Sequence, residues 1–272
     1  MLTRRTIHHL DGALQLAAGW PRWRKFERKI YCCLTVDLDA HGHRNAFKKG
    51  LPFLLDLFSQ KGLEGAITWF YNCREKELGA WPDPLAEMQR RKDEVALHCH
   101  LEDLPDARCV KDISAEIQRD KIDLENITGQ AVSGFRSGQL LRTPQIFAAL
   151  NGCSLRYDSS CTFGRTFTVK GTTMDDRKIS GNDSVFPLDN GLLEFPIWEP
   201  FPQPRQIALT GPPYFITNLV HPFNLVCNGQ ANQIIQHYYR TIIHILQKIP
   251  AIEFTTLSSA CQIWNQQTSR QS

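Results

Sequence analysis

The chain has 272 residues, 42% of them hydrophobic, and a formal net charge of +3. A chain of this size can bury a large core as one α/β domain, and its small, dispersed charge gives no indication of nucleic-acid binding. No stretch approaches the roughly 20 apolar residues of a membrane span. The nine scattered cysteines, which include no CxxC pair, favour a reducing cytosol. We therefore expect an unexported, cytoplasmic protein of unknown oligomeric state.

Residues 1–29 are predicted to form an amino-terminal basic arm. Between Trp20 and Lys29, arginines and lysines are interleaved with Trp23 and Phe26. A solvated arm or helix that packs on the main domain accounts for this composition. The alternative is peripheral contact with an anionic surface on the inner face of a membrane. The remaining residues, 30–272, are predicted to form one domain.

From Ile30 onward, short apolar β-rich runs alternate with helical patterns, which is typical of βα units and a mainly parallel sheet. Helices are predicted from a first-turn Pro52 to Gly62, over 113–127 and from Ile234 to Leu246. The predicted strands cover 30–36, 65–71, 94–97, 154–157, 192–195, 215–220 and 252–255, with a strand-and-helix unit at 131–151. Residues 161–189 are rich in Gly, Asp, Thr and Ser, and we predict a long loop over the barrel mouth.

Asp37 and Asp39 follow the first predicted strand. In extended backbone, side chains at i and i+2 face the same side, and two carboxylates held close together need a cation or a proton between them. Helix or turn capping is the alternative for these two residues alone. In a parallel barrel the active site gathers at the carboxyl ends of the strands, so this pair is a candidate site.

His98 and His100 end the third predicted strand, and Glu102 follows them. Two imidazoles on one strand and two carboxylates on another form a nitrogen and oxygen donor set. Such a set suits Zn²⁺ or a similar divalent ion with an open water position. Cys99, between the two histidines, is predicted to point the other way, into the core.

Arg136 and His221 end two later strands. An arginine at this edge could hold a catalytic carboxylate with two hydrogen bonds, and a histidine opposite a metal could act as a general acid. These two roles make both residues candidate site residues. The alternative for either is a structural surface residue.

The order of these motifs resembles the NodB-homology polysaccharide deacetylases over about Ile30 to Trp264. In chain order, the matching segments are 35–40 (Thr-Val-Asp-Leu-Asp-Ala), 54–70, 94–98 (Glu-Val-Ala-Leu-His), 134–136 (Gly-Phe-Arg), 155–160 (Leu-Arg-Tyr-Asp-Ser-Ser), 193–196 (Leu-Glu-Phe-Pro) and 220–221 (Val-His). The resemblance implies an α/β fold, a distorted (β/α) barrel of about seven strands. It also implies that Asp37 is the base, Asp39 a metal ligand, Arg136 the residue that steadies the base, and His221 the acid.

Two positions differ from the family pattern. The family has a histidine at i+4 from the first metal histidine, where this chain has Glu102, and His100 stands at i+2 instead. Some relatives use a His-x-His arrangement, so His100 is the preferred third ligand and Glu102 the alternative. Gly138 stands where the family usually has proline, which alters the wall of the substrate groove. The segment around Phe195 also lacks an aspartate that would tune His221.

The resemblance implies a metal-dependent hydrolase that removes an N-acetyl or N-formyl group from an amino sugar. A divalent ion, expected to be Zn²⁺, would be held by Asp39, His98 and His100. The layout is similar to the deformylase of aminoarabinose-lipid synthesis and to deacetylase-like proteins of O-antigen clusters. The expected substrate is a nucleotide-linked or lipid-linked precursor in surface-polysaccharide synthesis. Two alternatives are a non-catalytic, sugar-binding barrel and a thiol hydrolase with Cys99 or Cys161 as nucleophile.

Overall fold

The computed structural model describes residues 26, 28–39, 44–74, 84–103, 109–179, 183–199 and 213–269. Most of the predicted amino-terminal arm, and with it the predicted membrane contact, lies outside the described residues. The arm's last residue, Lys29, forms an exposed ion pair with Glu253 at 3.0 Å. Among the helices of the described ranges, none is long and apolar enough to cross a membrane.

A single large sheet dominates the fold, and seven parallel strands of the described chain lie side by side in it. The strands of the described chain, inside and outside this sheet, are β1 (Ile30–Leu38), β2 (Ile67–Tyr71), β3 (Glu94–Cys99), β4 (Gly134–Ser137), β5 (Tyr157–Asp158), β6 (Thr166–Val169), β7 (Thr172–Asp175), β8 (Phe186–Pro187), β9 (Leu193–Glu194), β10 (Tyr214–Val220), β11 (Val226–Cys227), β12 (Gln230–Ala231) and β13 (Ile252–Phe254). The pairs β6–β7 and β11–β12 form two separate two-stranded sheets. The sheet order is β10-β1-β2-β3-β4-β5-β9-β8, and β13 pairs with β1. Among the described strands of this sheet, only β8, at the edge, is antiparallel to its neighbour.

Single bridges bring the two ends of the sheet together. Ile197, just after β9, bridges in parallel both to Thr162 and to Thr217 of β10. The sheet therefore curls into a barrel that is closed on this side by isolated bridges rather than by a continuous ladder. This confirms the predicted distorted (β/α) barrel of about seven strands.

Helices cover the outside of the sheet. They are α1 (Arg44–Gln60), α2 (Pro84–Arg90), α3 (Val110–Thr128), α4 (Pro144–Leu150), α5 (Gln233–Gln247) and α6 (Leu257–Thr268). Helix α3 ends where Gly129 adopts φ 65° and its N–H returns to the carbonyl of Glu125, as glycine allows at a helix terminus. Helix α4 begins with a capping hydroxyl from Thr143, followed by a proline. Helices α2 and α6 are not among the predicted elements.

Helix α1 begins earlier than predicted. The sequence pattern places Pro52 in the first turn, but the helix starts at Arg44 and Pro52 lies in its interior. The apolar face already includes Phe47 and Leu51, which are 3% and 2% exposed. Burial of this face outweighs the N–H that an interior proline removes, and the Pro52 ring itself is exposed.

The predicted loop over the barrel mouth contains regular structure. Strands β6 and β7 form an antiparallel hairpin, which turns at Lys170 and Gly171 with φ 46° and 82°. A glycine in a two-residue turn and a partial apolar alternation are hairpin signals. They are weak here because each strand has only four residues. The predicted long segment over the barrel mouth therefore contains a short hairpin, whose residues Thr166 and Phe167 line a cavity.

The barrel interior is filled at its amino-terminal end by helix α6. Leu257 and Ala260 are fully buried and join a cluster with Phe70 of β2, Tyr157 of β5 and Phe195, which follows β9. This plug leaves the carboxyl ends of the strands as the open end of the barrel. Catalytic side chains at that end therefore stand on a packed floor, as is typical of parallel barrels.

Candidate active site

The predicted base, Asp37, is buried near the carboxyl end of β1 and is held by Arg136. Nη1 of Arg136 donates to Oδ1 of Asp37 at 2.6 Å and to the hydroxyl of Thr35 at 2.9 Å. The rest of the guanidinium donates to the carbonyl and the hydroxyl of Ser159 at 2.8 and 2.7 Å. It also lies 3.9 Å from the ring centroid of Phe70. A fully buried arginine with this many fixed partners orients one carboxylate oxygen firmly.

Asp39 meets both predicted metal histidines. Its Oδ2 lies 3.0 Å from Nε2 of His98 and 3.3 Å from Nε2 of His100. The nitrogen and oxygen donors of these three side chains lie within 4.8 Å of one another, so the group could hold a metal ion. Asp37, Asp39 and His221 form a second such group.

The other ring nitrogen of each histidine faces an acceptor. Nδ1 of His98 lies 3.0 Å from the carbonyl oxygen of Arg136, and Nδ1 of His100 lies 2.5 Å from Oε1 of Glu102. Because a carbonyl only accepts, Nδ1 of His98 carries a hydrogen, and Nε2 is the nitrogen left to bind a metal ion. Metal-binding histidines commonly have this arrangement, in which one nitrogen binds the ion and the other donates.

The electrostatic environment at Asp39 favours positive charge. Burial alone would lower the pKa of His100, but hydrogen bonds with Asp39 and Glu102 outweigh burial and raise it to about 10. Burial likewise opposes ionisation of Glu102, but the hydrogen bond from His100 outweighs it and lowers the pKa of Glu102 below its usual value. A divalent cation would satisfy these carboxylates as a proton on His100 does, so metal and proton compete for the site.

His221 lies opposite Asp37, immediately after β10. Its Nε2 is 3.6 Å from Oδ2 of Asp37, and its ring centroid is 4.8 Å from that of Phe223. Helix α1 supports this segment at Gly50, where a Cβ would lie 1.8 Å from the carbonyl oxygen of Pro222. Gly50 therefore permits the backbone that follows His221 to rest directly on the helix.

The structure brings all six predicted site residues together. They are Asp37, Asp39, His98, His100, Arg136 and His221. Asp37, Asp39, His98 and His221 line a cavity of about 530 Å³. The sheet explains this convergence, since the residues come from the carboxyl ends of β1, β3, β4 and β10, which lie side by side in the order β10-β1-β2-β3-β4.

The cavity wall contains residues that the sequence does not reveal as functional. Thr166 and Phe167 of the β6–β7 hairpin lie on one side and Phe223 on another. Arg165 and Glu199 also line the cavity and form an ion pair at 3.0 Å. These residues belong to segments without clear periodicity. The one sequence signal is the prediction that the segment around 161–189 lies over the barrel mouth.

Glu102 and Gly138 lie behind His100 rather than on the cavity wall. The two residues that follow Gly138, Gln139 and Leu140, line the cavity. Gly138 itself does not line this cavity, and its effect on the groove wall stays a prediction. Gly138 instead faces the imidazole of His100 and the carboxylate of Glu102.

The arrangement does not suit a thiol nucleophile. Sγ of Cys99 lies 3.5 Å from Oδ2 of Asp120 on helix α3, away from the two histidines, as predicted. Burial raises the pKa of Cys99 and of Cys161 well above the usual value for a thiol. A thiolate is the nucleophilic form, and neither cysteine lines the cavity.

Comparisons with known proteins identify the fold. No protein-family model matches the sequence, and no curated protein matches it at a significant level. Solved structures do match. An allantoinase aligns with a TM-score of 0.63 and 13% identity over 89% of this chain and 92% of its own. A Mycobacterium smegmatis protein assigned as a polysaccharide deacetylase aligns with a TM-score of 0.58 and 15% identity, over 89% and 92%. The chain has the polysaccharide-deacetylase fold.

The same fold carries different activities. A third structure, a mutant of a Bacillus anthracis CE4 family pseudoenzyme with restored activity, aligns with a TM-score of 0.50 and 15% identity. The alignment covers 87% of this chain and 68% of that protein. An allantoinase, a deacetylase and a pseudoenzyme thus share one architecture, so function must be argued from the site.

Proposed function

We propose that the chain is a metal-dependent carbohydrate deacylase of the NodB-homology type that removes an N-acetyl or N-formyl group from an amino sugar. The observation that carries the proposal is the pairing of two groups at one cavity. Asp37, fixed by Arg136, lies beside the donor set of Asp39, His98 and His100. A held carboxylate next to a three-donor metal site is what water activation requires.

The donor set fits a divalent ion, most simply Zn²⁺. Two imidazole nitrogens and one carboxylate oxygen are a common catalytic zinc set, with further positions left for water and substrate. When bound there, the ion would polarise the acyl oxygen and lower the pKa of a water molecule toward neutrality. Asp39 and the two histidines hold it, with Nδ1 of each ring already directed to an acceptor.

Asp37 acts as the general base in this proposal. Arg136 binds Oδ1, and Oδ2 is the oxygen on the side of His221. The carboxylate takes the proton of the attacking water, while the buried guanidinium of Arg136 fixes its orientation. General-base catalysis of this kind typically contributes about 10²- to 10⁴-fold in rate.

His221 acts as the general acid. Its Nε2 is 3.6 Å from Oδ2 of Asp37, and the donor atoms of Asp37, Asp39 and His221 lie within 4.8 Å of one another. A proton at Nε2 can be passed to the departing sugar nitrogen, which must be protonated for the C–N bond to break. Phe223 contacts the ring and limits its rotation.

The cavity suits one acylated sugar unit. Its volume of about 530 Å³ falls within the range of roughly 300–1,000 Å³ that is usual for small-molecule sites. Phe167 and Phe223 offer apolar surface for a ring face, while the paired Arg165 and Glu199 offer donors and acceptors for hydroxyls. We propose a nucleotide-linked or lipid-linked precursor inside the cell as the substrate. The nine free cysteines support a cytoplasmic location.

The decisive experiment combines metal analysis with hydrolysis of a panel of N-acetyl and N-formyl amino sugars, free and nucleotide-linked. We expect bound metal, activity that a chelator abolishes and Zn²⁺ restores, and Asp37→Asn to lose about 10²- to 10⁴-fold in kcat while keeping its metal. Asp112→Asn, at an exposed position, is the control and should retain activity. A metal-loaded wild type that binds these sugars but hydrolyses none of them would favour the non-catalytic barrel instead.

A further inference from the structure

We propose that Glu102 and Gly138 are positioning residues that make His100 the third metal ligand. Glu102 accepts a hydrogen bond from Nδ1 of His100, and Gly138 leaves the space that both side chains occupy. This inference rests on the proposed metal site, but it concerns how the chain builds that site rather than the reaction at it.

Glu102 is placed to orient an imidazole rather than to bind the ion. Its Oε1 lies 2.5 Å from Nδ1 of His100, and its carboxylate side chain is 1% exposed. A carboxylate oxygen at this distance accepts from Nδ1, so Nε2, which lies 3.3 Å from Oδ2 of Asp39, is the nitrogen left to bind a metal ion. Glu102 is also not a member of either group of side chains that could hold a metal.

Gly138 is required by space. A Cβ there would lie 2.6 Å from Nδ1 and 2.7 Å from Cγ of His100, and 2.9 Å from Oε2 of Glu102. Carbon contacts this short are repulsive, since optimal separations are about 3.5–4.0 Å. The backbone of Gly138 does not adopt positive φ, so an alanine is excluded by the two side chains rather than by backbone strain.

The two deviations from the family pattern therefore belong to one local arrangement. Strands β3 and β4 are neighbours, with Cys99 opposite Ser137, so the residues that follow each strand meet. A carboxylate at 102 and a histidine at 100 fill the volume that a side chain at 138 would take. Strand β4 and the residue after it thus position both histidines. The carbonyl of Arg136 accepts from His98, and Gly138, which has no Cβ, leaves room for the ring of His100.

The test measures Zn²⁺ affinity of the purified, metal-stripped full chain by competition with a chromophoric chelator. We expect Glu102→Ala to weaken binding about 10- to 100-fold, as loss of an outer partner of a metal histidine does. Glu102→Gln should recover part of this loss, because its amide oxygen can accept the same hydrogen bond. Gly138→Ala should also weaken binding. Ser137→Ala, one residue away and equally buried, should leave the affinity unchanged.

A double-mutant cycle separates positioning from direct ligation or a general structural role. If Glu102 acts through His100, Glu102→Ala should cost nothing further in a His100→Ala background. If Gly138→Ala does not fold, as judged by its thermal midpoint, the Glu102 variants alone decide.

Wild-type affinity in both Glu102→Ala and Gly138→Ala would overturn the inference. So would an undiminished loss from Glu102→Ala in the His100→Ala background, since Glu102 would then act without His100. A protein that binds Zn²⁺ with the expected dependence on Glu102, yet hydrolyses no acyl sugar, would support this inference and overturn the proposed function alone. Absence of Zn²⁺ binding in the wild type would overturn both.

Discussion

Two pairs of carboxylates are buried in the barrel, and their surroundings differ. Asp37 and Asp39 face an arginine and two histidines at the open end. Asp158 and Glu194, which lie opposite each other on β5 and β9, face each other together with hydroxyl and backbone N–H groups. Asp158 accepts from the N–H of Ser159 and from a neighbouring serine hydroxyl, and Glu194 accepts from the N–H of Cys161.

The surroundings of the second pair favour a retained proton. Burial raises the pKa of Asp158 and raises that of Glu194 well above its usual value, with the charge of Asp158 as a further cause for Glu194. One proton shared between the two relieves their repulsion. The first pair is instead surrounded by cationic or metal-binding groups and lines the cavity. Burial of two acids together is therefore not evidence of catalysis, whereas the kind of partner they face is.

Arg136→Met should produce the largest change and would break the first pair. The substitution leaves Asp37 buried without its ion-pair partner, which typically costs about 3–5 kcal/mol. Urea denaturation of the metal-free protein measures it. Arg90→Met is the control, because Arg90 pairs with Glu87 at the surface, where a pair contributes little. A loss below about 1 kcal/mol for Arg136→Met would mean that water reaches Asp37 and that the pair is not a buried one.

Gly50→Ala should have an intermediate effect, which lowers kcat but leaves the Zn²⁺ affinity unchanged. The new Cβ overlaps the carbonyl of Pro222, so the backbone after His221 must move, and a misplacement of about 1 Å can cost on the order of 100-fold in rate. We expect kcat to fall about 10- to 100-fold while Zn²⁺ affinity stays at the wild-type value. Lys48→Ala, on an exposed face of the same helix, should leave both unchanged. Equal losses in affinity and rate would place the damage at the metal group instead.

Glu194→Gln should have the smallest effect and sharpens the description of the second pair. The folded-state pKa of Glu194 is raised, so the folded protein retains a proton that the unfolded chain releases above its ordinary value of 4.5. Wild-type stability should therefore fall as pH rises from about 4.5 toward the folded pKa. Glutamine imitates the protonated acid and should remove this part of the decline, so that the variant is at least as stable as wild type at neutral pH.

Unfolding curves at a series of pH values measure this slope. Glu253→Gln is the matched control, because Glu253 is exposed in its ion pair with Lys29 and should leave the slope unchanged. An identical decline in wild type and Glu194→Gln would show that Glu194 is already ionised in the folded protein.

The parts of the site that were predicted from sequence lie at the ends of long apolar strands. Strands β1 and β3 are runs of buried residues, and the carboxyl ends of parallel strands meet at one edge. The sequence alone therefore predicts that Asp37, Asp39 and His98 lie close together. The strand and helix pattern also gives the barrel, because each unit has a clear apolar period.

The rest depends on contacts between segments without a period. The ion pair of Arg165 and Glu199 joins residues 34 positions apart, on either side of a hairpin whose strands have four residues each and are too short to give a firm pattern. The roles of Glu102 and Gly138 depend on the direction of one imidazole. That direction is set by packing across two strands, and spacing along the chain does not contain it.

Arg136 supports both halves of the site, through two different kinds of atom. Its side chain holds Asp37, while its backbone carbonyl holds His98. Amino-acid substitution can remove the first contact but not the second, and replacing a buried ion pair as a whole by apolar residues is often tolerated. A descendant of this chain could thus lose the proposed base and still retain the proposed metal site. Metal content alone would then be a poor guide to which barrels of this kind are enzymes.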